Sequence, residues 1–303
     1  MEIQQKRSRM ASEVCVFSVL HQGAVKFYTE FLHSLDCQTY SNFDLFLVVD
    51  NVRSEILKDI ENKTLHRFKI IHYEYSGGML ENRIKGLQHL VKTKNKYQTI
   101  VFLDSDDLVA KNYIEIVSRN NKDFEVVVSD LIPFSEYHKA DSDMPIWNER
   151  LMNKEILDVT FLKNKNILGF GNTSIHFRLI ERLKSNYPEP LAPDWYFFKD
   201  ILTLSDRIKF SKESIIFYRQ HHSNIAGYQT LTHEKLRRIF QVKYDHYKLM
   251  YYTDADSVEE INTITKILNN EKDITQSINY LNQKSINFFW WEETTYLKKS
   301  YNE

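Results

Sequence analysis

The chain opens with apolar runs that are separated by segments of helical spacing. The run at 14–20 (VCVFSVL) is unbroken, as expected of a strand that is covered on both faces. Strands are predicted at 14–20, 43–51, 67–75 and 99–107. Helices are predicted between these strands, at 25–35, 54–62 and 82–91. This repeating strand–helix order predicts an α/β fold with a mostly parallel, doubly wound, Rossmann-like sheet.

The pattern changes beyond residue 110. The predicted elements there are a helix at 112–119, a strand at 125–134, a polar loop at 135–150 and a strand at 214–220. From Thr232 onward the apolar residues form helical stripes, whose simplest interpretation is packing between helices. We therefore predict an α/β domain over residues 1–230 and a helical C-terminal region over residues 231–303.

Composition narrows the class of protein. The 303 residues are 42% hydrophobic and 14% aromatic, which is enough for a sizeable core. Lys and Arg number 40 and Asp and Glu number 41, and this balance argues against a nucleic-acid partner. The two cysteines, Cys15 and Cys37, form neither a disulfide scaffold nor a zinc site.

The N-terminal segment MEIQQKRSRMASEV is charged and polar, so we expect no signal peptide. No apolar stretch approaches the ~20 residues that a membrane span needs. We expect a cytoplasmic protein, with peripheral attachment at the inner face of a membrane left open. The sequence does not decide whether the chain forms a homo-oligomer.

Carboxylates follow the predicted second and fourth strands. Asp50 and Asn51 end the second strand, and Asp104, Asp106 and Asp107 end the fourth in the stretch VFLDSDDLV. Open α/β sheets bind ligands beyond the carboxyl ends of their strands. Asp104 and Asp106 are two positions apart, so on an extended segment their side chains share a face. This arrangement favours Mg²⁺ or Mn²⁺ held by oxygen ligands, with a substrate phosphate completing the coordination shell.

A structural interpretation of the same residues is the alternative. Asp107 can cap the following helix, and Asp104 can accept hydrogen bonds in a turn. Short D-x-D motifs often occur without function, but the apolar strand before this one favours the metal site. We assign Asp104 and Asp106 to metal and substrate, and Asp107 to a helix cap.

Four segments occur in a characteristic order along the chain. They are VCVFSVLHQGAVKFYTEFLHSL, FDLFLVVDN, GGMLENRIKGL and VFLDSDDLV. In this order the chain resembles the GT-A nucleotide-sugar transferases over residues 14–230, and glycosyltransferase family 2 in particular. The resemblance implies a GT-A fold, a UDP-, GDP- or dTDP-type nucleotide-diphosphate sugar donor, Mn²⁺ or Mg²⁺, and a saccharide or lipid-linked acceptor.

The resemblance also implies donor contacts in several loops. Leu20 and His21 occupy the loop after the first strand that flanks the donor base. Asp50 matches an aspartate that commonly meets the nucleoside, and Arg83 matches the arginine of an R-N-x-G segment near the donor. Ile84 stands where that segment has asparagine, and VVDNVRS replaces the commoner V-V-D-D-x-S, so the nucleobase is not identified.

The D-x-D motif of the family matches Asp104, Ser105 and Asp106. The resemblance implies that Asp106 is a direct ligand of the metal. It places Asp104 towards the ribose and the metal, and Ser105 at the donor.

Inverting transfer requires a general base that deprotonates the acceptor hydroxyl. The stretch LAPDWYFFKDI offers Asp194 at the start of a predicted helix, where an ordinary N-cap is the alternative. The stretch resembles the family motif that carries the base, so Asp194 is our candidate base. Gly171 and Asn172, from the turn-rich GFGNTS, and Trp195 are candidate contacts to the acceptor or the sugar. A tight turn that requires glycine is the alternative for GFGNTS.

Two late segments carry further candidates. FYRQHHSNIAG resembles a Y-R-x-H-x-x-N stretch of bacterial polysaccharide glycosyltransferases. That resemblance implies that Arg219, His221 and His222 lie near the donor diphosphate, although paired histidines are more often surface or packing residues. The cluster FFWWEE at 288–293 is most simply packed against the main domain, with a partner or membrane-surface contact as the alternative.

The leading hypothesis is a metal-dependent, inverting glycosyltransferase of bacterial surface polysaccharide or glycolipid synthesis. A sugar nucleotidyltransferase would need a glycine-rich basic loop after the first strand, where HQGAVKF has one glycine. A phosphatase of the haloacid-dehalogenase type would carry its D-x-D at the first strand. A nucleotide-sugar-binding module that has lost catalysis is the remaining alternative.

Overall fold

The computed structural model describes residues 12–63, 67–93, 97–135, 144–151, 153–163, 165–220, 232–251 and 255–283. A nine-stranded sheet organises this part of the chain. The strands are β1 (Val14–His21), β2 (Phe43–Asp50), β3 (Lys69–Glu74), β4 (Thr99–Phe102), β5 (Leu108–Val109), β6 (Val126–Phe134), β7 (Ile156–Leu157), β8 (Thr173–His176) and β9 (Ile208–Arg219).

Helices connect most of the strands and end the described chain. They are α1 (Tyr28–Asp36), α2 (Ser54–Lys63), α3 (Met79–Lys92), α4 (Tyr113–Asn120), α5 (Trp147–Arg150), α6 (Val159–Leu162), α7 (Pro193–Leu202), α8 (His233–Tyr251), α9 (Ala255–Leu268) and α10 (Glu271–Gln283). Short 3-10 turns at Val25–Phe27 and Phe177–Arg182 precede α1 and follow β8.

The strand order across the sheet is β3-β2-β1-β4-β8-β6-β9-β5, and β7 pairs with β9. β1 pairs in parallel with β2 and β4, β2 with β3, and β6 with β9. β8 runs antiparallel between β4 and β6, so β6 and β9 regain the direction of the first four strands. The predicted α/β, mostly parallel sheet is confirmed. The carboxyl ends of its parallel strands lie along the same side of the sheet, called the carboxyl edge below.

The continuous apolar runs form the centre of the sheet. In β1 and β2 every residue before the last is buried, as the unbroken apolar pattern predicts. The ring of Phe17 stacks on Phe46 with 5.6 Å between centroids, and Phe102 meets Phe17 edge-on. A Cβ on Gly86 would lie 2.4 Å from Cγ2 of Val48. Glycine therefore lets α3 lie close to β2. The start of α3 lies at the carboxyl ends of the strands because this helix directly follows β3.

The second half of the sheet departs from the sequence prediction. β8 was not predicted, because Thr173 and Ser174 read as a polar turn although both are fully buried. β9 begins at Ile208. It was predicted to begin only at residue 214 because polar residues interrupt the apolar pattern in the first half of the strand. Two of those residues are buried in the strand: the hydroxyl of Ser214 donates to Ser129 Oγ at 2.9 Å, and Ser211 Oγ accepts from Asn120 at 3.1 Å. Their hydrogen bonds make these polar side chains compatible with a buried strand.

Helices α8 to α10 confirm the predicted helical C-terminal extension. These helices share a second apolar cluster. The cluster also includes Trp195 of α7 and Ala192, the residue directly before α7. The boundary predicted at residue 230 lies outside the described residues, as does the FFWWEE cluster, so the division into domains stays a prediction. Within the described ranges, no helix is both long enough and apolar enough to cross a membrane.

Candidate active site

A cavity of about 180 Å³ lies at the carboxyl edge of the sheet. Its lining includes Arg83 of α3, Asp104 and Asp107 of the turn after β4, the segment 166–172 before β8, and residues 191–194 at the start of α7. Four separate stretches of chain therefore meet here. Each of them contains a functional residue that is predicted from the sequence.

The turn Asp104–Ser105–Asp106–Asp107 alternates between partly exposed and buried side chains. Asp104 and Asp106 are partly exposed, whereas Ser105 and Asp107 are each 2% exposed. The hydroxyl of Ser105 donates to the carbonyl of Val19 in β1 at 2.7 Å. Ser105 thus anchors the turn to β1, which occupies the hydroxyl that the resemblance assigned to the donor.

Asp107 does not cap a helix. The next helix, α4, begins at Tyr113 with Asn112 as its N-cap. Instead, Oδ1 of Asp107 accepts the backbone N–H of Arg219, the last residue of β9, at 2.8 Å. The helix-cap assignment was wrong, because β5 intervenes between the turn and α4.

Arg83 fixes the first carboxylate of the turn. Its Nη2 lies 2.8 Å from Oδ1 of Asp104, and the side chain of Arg83 is 12% exposed. Its guanidinium lies 4.4 Å from the centre of the Phe170 ring, and Nη1 donates to the carbonyl of Met79 at 3.0 Å. The guanidinium stacks on an aromatic ring and donates a charge-assisted hydrogen bond to Asp104, and together these contacts hold Asp104 in one orientation.

Burial raises the pKa of both Asp104 and Asp107. For Asp104 the Arg83 guanidinium opposes this rise, and the negative charge of Asp106 adds to it. For Asp107 the charges of Asp106 and Asp104 add to the effect of burial, and its pKa lies well above the usual range. The turn therefore concentrates negative charge that a cation would relieve.

The segment before β8 is shaped by Asn172, which is 3% exposed. Its Oδ1 accepts the N–H of Gly169 at 2.7 Å, and its Nδ2 donates to the carbonyls of Ser129 and Ile167. These bonds fold the segment into a tight loop. Asn172 lines the cavity, and its amide is engaged in holding this loop.

The two glycines of this loop face the carboxylates. A Cβ on Gly171 would lie 2.9 Å from Oδ2 of Asp104, and a Cβ on Gly169 would lie 3.6 Å from Oδ2 of Asp194. One short loop thus approaches both the D-x-D turn and the candidate base. Glycine at position 171 leaves room for a ligand beside Asp104.

Asp194 lies in the first turn of α7 and is not the N-cap, which is Ala192. Its Oδ1 accepts the N–H of Trp195 at 2.8 Å. Burial raises its pKa from 3.8 to about 6. The hydrogen bond from Trp195 opposes that rise, and the charge of Asp104 adds to it. Asp194 is therefore a partly buried carboxyl that changes protonation close to neutral pH.

A polar network surrounds Asp50 at the end of β2. Oδ1 of Asp50 accepts the Ser76 hydroxyl at 2.8 Å, and Oδ2 accepts Nδ2 of Asn82 at 2.9 Å. Asn51 has a positive φ of 54° and donates to Ser76 Oγ at 2.6 Å. Ser76 and Asn82 were not predicted from the sequence. The available signal was the position of Asn82 directly before Arg83, in the segment where the resemblance expects an asparagine after the arginine.

Two predicted contact residues lie elsewhere. Leu20 and His21 were predicted in the loop after the first strand but lie in β1 itself; Leu20 is fully buried in the core, whereas His21 is exposed at the end of the strand. Trp195 is 3% exposed, and its ring stacks on His246 of α8 with 3.7 Å between centroids. The indole thus packs against the helical region, whereas Trp195 was predicted as a contact to the acceptor or the sugar.

Arg219 is 5% exposed and lies behind the D-x-D turn. Its Nε donates to the carbonyl of Asp106 at 2.7 Å, and its Nη2 pairs with Glu30 of α1 at 2.9 Å. The other two residues predicted near the diphosphate, His221 and His222, fall within residues 221–231, outside the described part of the chain.

The residues present fit a divalent cation. Among the described residues, no three His, Cys, Asp or Glu side chains converge as a metal site by themselves. Mg²⁺ and related ions are usually held by one or two carboxylates together with substrate phosphates. The carboxylates of Asp104 and Asp106 are hard oxygen donors of the kind that such ions prefer, and the missing Cβ of Gly171 leaves space beside Oδ2 of Asp104.

The family described as Glycosyl transferase family 2 matches residues 18–183, more than half of the chain. The chain belongs to glycosyl transferase family 2. The matched residues of this glycosyltransferase run from β1 through the D-x-D turn to β8, and the predicted family is confirmed. No curated protein sequence matches the chain.

Two solved structures show the same fold. TarS 1–349 of S. aureus, in complex with UDP-GlcNAc, has a TM-score of 0.58 and 14% identity, with 84% of this chain and 71% of that chain covered. The mannosyltransferase PcManGT of Pyrobaculum calidifontis, in complex with GDP-Man and Mn²⁺, has a TM-score of 0.56 and 12% identity, with 90% and 75% covered. At these identities the likeness concerns the fold, and it confirms the predicted GT-A architecture.

Proposed function

We propose that this glycosyltransferase moves a sugar from a nucleotide-diphosphate sugar to a hydroxyl acceptor, with inversion at the anomeric carbon and with Mn²⁺ or Mg²⁺. The observation that carries the proposal is that Asp194, Arg83 and Asp104 line one cavity, in which the pKa of Asp194 is raised to about 6. A carboxylate with such a pKa is matched to proton abstraction near neutral pH. The arrangement thus combines a base with a site for a negatively charged donor.

The nucleoside end of the donor would lie at β1 and β2. Ser76 and Asn82 each donate a hydrogen bond to one oxygen of the Asp50 carboxylate, which fixes its orientation. The carboxylate could then accept a hydrogen bond from an N–H of the nucleobase or an O–H of the ribose. His21 is exposed at the end of the neighbouring strand. The complexes of TarS with UDP-GlcNAc and of PcManGT with GDP-Man support a nucleotide sugar as the donor.

The diphosphate end would lie at the D-x-D turn, where Asp104 and Asp106 would hold the cation. A bound divalent cation supplies charge neutralisation to a departing diphosphate. Arg83 orients Asp104, and the absence of a Cβ at Gly171 leaves space for the cation beside Oδ2 of Asp104. The Mn²⁺ in the PcManGT complex supports this assignment.

Asp194 would act as the general base. The Trp195 N–H holds Oδ1, and Oδ2 faces the Gly169–Asn172 loop. We assign Oδ2 to accept the proton of the acceptor hydroxyl. The hydroxyl oxygen would then bond to the anomeric carbon while the bond from that carbon to the nucleoside diphosphate breaks and the diphosphate leaves. Gly171 and Asn172 would frame the sugar that is transferred, since both line the cavity.

We further propose a saccharide or lipid-linked acceptor and a bacterial surface polysaccharide or glycolipid as the product. The resemblance of FYRQHHSN to bacterial polysaccharide glycosyltransferases supports this product class. We assign catalysis to residues 1–230, with residues 231–303 as a helical region, and we place the reaction in the cytoplasm or at the inner face of the membrane.

A thermal-shift screen of UDP-, GDP- and dTDP-sugars, with Mn²⁺ or with EDTA, tests the donor and the metal. A donor at about 100 times its Kd adds about 2.7 kcal/mol to the free energy of unfolding, which is measurable. We expect one nucleotide class to stabilise the protein, and to do so more strongly with Mn²⁺. Absence of stabilisation by every nucleotide sugar would contradict the proposal.

Replacement of Asp194 by Asn tests the base with the donor identified in that screen. We expect donor binding to persist and sugar transfer to fall by about 10²–10⁴-fold, the usual contribution of a general base. Asp206→Asn, an exposed residue beyond α7, is the matched control and should transfer at the wild-type rate. Unchanged transfer by Asp194→Asn would remove Asp194 from the mechanism.

A further inference from the structure

The end of β9 runs beside the D-x-D turn. Arg219 is the last residue of β9, and its backbone N–H donates to Oδ1 of Asp107 at 2.8 Å. Its side-chain Nε donates to the carbonyl of Asp106 at 2.7 Å. One residue of β9 therefore bonds to two consecutive residues of the turn that carries the proposed metal ligands.

The guanidinium of Arg219 is enclosed from both faces. It lies 4.3 Å from the centre of the Phe27 ring and 4.6 Å from the centre of the Phe134 ring. At its edge, Nη2 pairs with Glu30 of α1 at 2.9 Å, and the side chain is 5% exposed. Contacts from three elements thus define its place, because Phe27 precedes α1, Glu30 lies in α1 and Phe134 ends β6.

This enclosure argues against a direct grip on phosphate. An arginine that binds a diphosphate presents a free N–H edge to the ligand. Here the Nε edge is directed at a backbone carbonyl and the rings cover both faces. Arg83, by contrast, lines the cavity itself.

We propose that Arg219 is a positioning residue that fixes the backbone of the D-x-D turn, so that Asp104 and Asp106 are directed at the divalent cation. The proposal rests on the proposed function, because it concerns the metal-dependent part of donor binding. Removal of the Nε–carbonyl contact frees the turn at Asp106, the residue assigned as direct ligand. Lysine does not replace arginine here, since a single ammonium cannot pair with Glu30, bond the carbonyl and fill the space between two rings.

The test compares the affinity for UDP, GDP or dTDP, whichever binds the wild type most tightly, in Mn²⁺ and in EDTA by titration calorimetry. For Arg219→Met we expect affinity in Mn²⁺ to fall about tenfold, the effect of one lost hydrogen bond of about 1.4 kcal/mol. Affinity in EDTA should stay within about twofold of the wild type, because the contact acts through the metal ligands. Arg119→Met, which removes an exposed ion pair with Glu213, is the matched control and should match the wild type in both conditions.

The other outcomes separate the alternatives. A loss of equal size in EDTA would show a direct phosphate contact and overturn the positioning role, and unchanged affinity in both conditions would also overturn it. If Arg219→Met does not fold, Arg219→Lys keeps the charge beside Glu30, and the same Mn²⁺-specific loss is expected of it. A wild type whose nucleotide affinity is the same in Mn²⁺ and EDTA would refute the metal dependence itself, and the positioning role with it.

Discussion

The raised pKa of Asp194 implies that the proposed base destabilises the folded protein. The pKa is about 6 in the fold against 3.8 ordinarily. The folded state therefore retains a proton that the unfolded chain has released, and stability falls as pH rises from about 4 to about 6. A shift of about two units corresponds to about 3 kcal/mol, and partial solvent exposure reduces this to roughly 1–2 kcal/mol.

Asn at position 194 keeps an oxygen for the Trp195 N–H and removes the charge. Loss of a carboxylate from the first turn of α7 costs about 0.5 kcal/mol of helix-dipole stabilisation, which is the smaller effect. The net gain of about 0.5–1.5 kcal/mol predicts that Asp194→Asn melts about 1–3 °C above the wild type at pH 8 in EDTA, and by about half as much at pH 5. Circular dichroism melts at both pH values measure this, with Asp206→Asn as the control. A variant that melts below the wild type at pH 8, or a difference that is equal at both pH values, would refute the reasoning.

Three further predictions concern the same site. The acid limb of kcat/KM should fall tenfold per pH unit below about 6, because protonated Asp194 cannot accept a proton; a pH–rate profile that is flat down to pH 5 would contradict this. Gly171→Ala places a Cβ 2.9 Å from Oδ2 of Asp104 and should weaken Mn²⁺-dependent donor binding about tenfold, whereas Gly169→Ala should have less effect on the metal. Asn82→Leu removes a hydrogen bond to the carboxylate that ends β2 and should weaken nucleotide binding about fivefold in calorimetry, with or without Mn²⁺.

The strands and helices in the first half of the fold could be predicted because short stretches of sequence identify them. β1, β2 and β4 are buried on both faces and appear as apolar runs, and the carboxylates that follow them mark the edge where ligands bind. Family resemblance added Arg83 and Asp194, which the structure brings into one cavity. β8 and the start of β9 could not be predicted, because buried Ser and Thr look like loop residues until their hydrogen-bond partners are known.

The different roles of the aspartates in the D-x-D turn could not be predicted from the sequence either. Asp106 and Asp107 are chemically identical neighbours, and only the position of β9 decides that Asp107 is buried and accepts a backbone N–H. The burial of Arg219 depends on Phe27 and Phe134, which are distant in sequence. Trp195 likewise looked like a site residue because it follows Asp194, whereas its partner His246 lies in α8.

The stack of Trp195 on His246 has a consequence for recombining this enzyme with its relatives. The apolar cluster of α8 to α10 includes Trp195 and Ala192, whereas Phe197, Phe198, Ile201 and Leu202 of α7 belong to the core around the sheet. Helix α7 therefore packs against both clusters and joins them. A chimera that exchanges only the C-terminal helices would pair a foreign helix face with this tryptophan, one residue from the proposed base. Exchange of α7 together with α8 to α10 would instead place foreign residues against Phe102 and Phe170 of the sheet core. A chimera therefore needs the Trp195 face of α7 matched to the new helices and the Phe197–Phe198 face kept as it is.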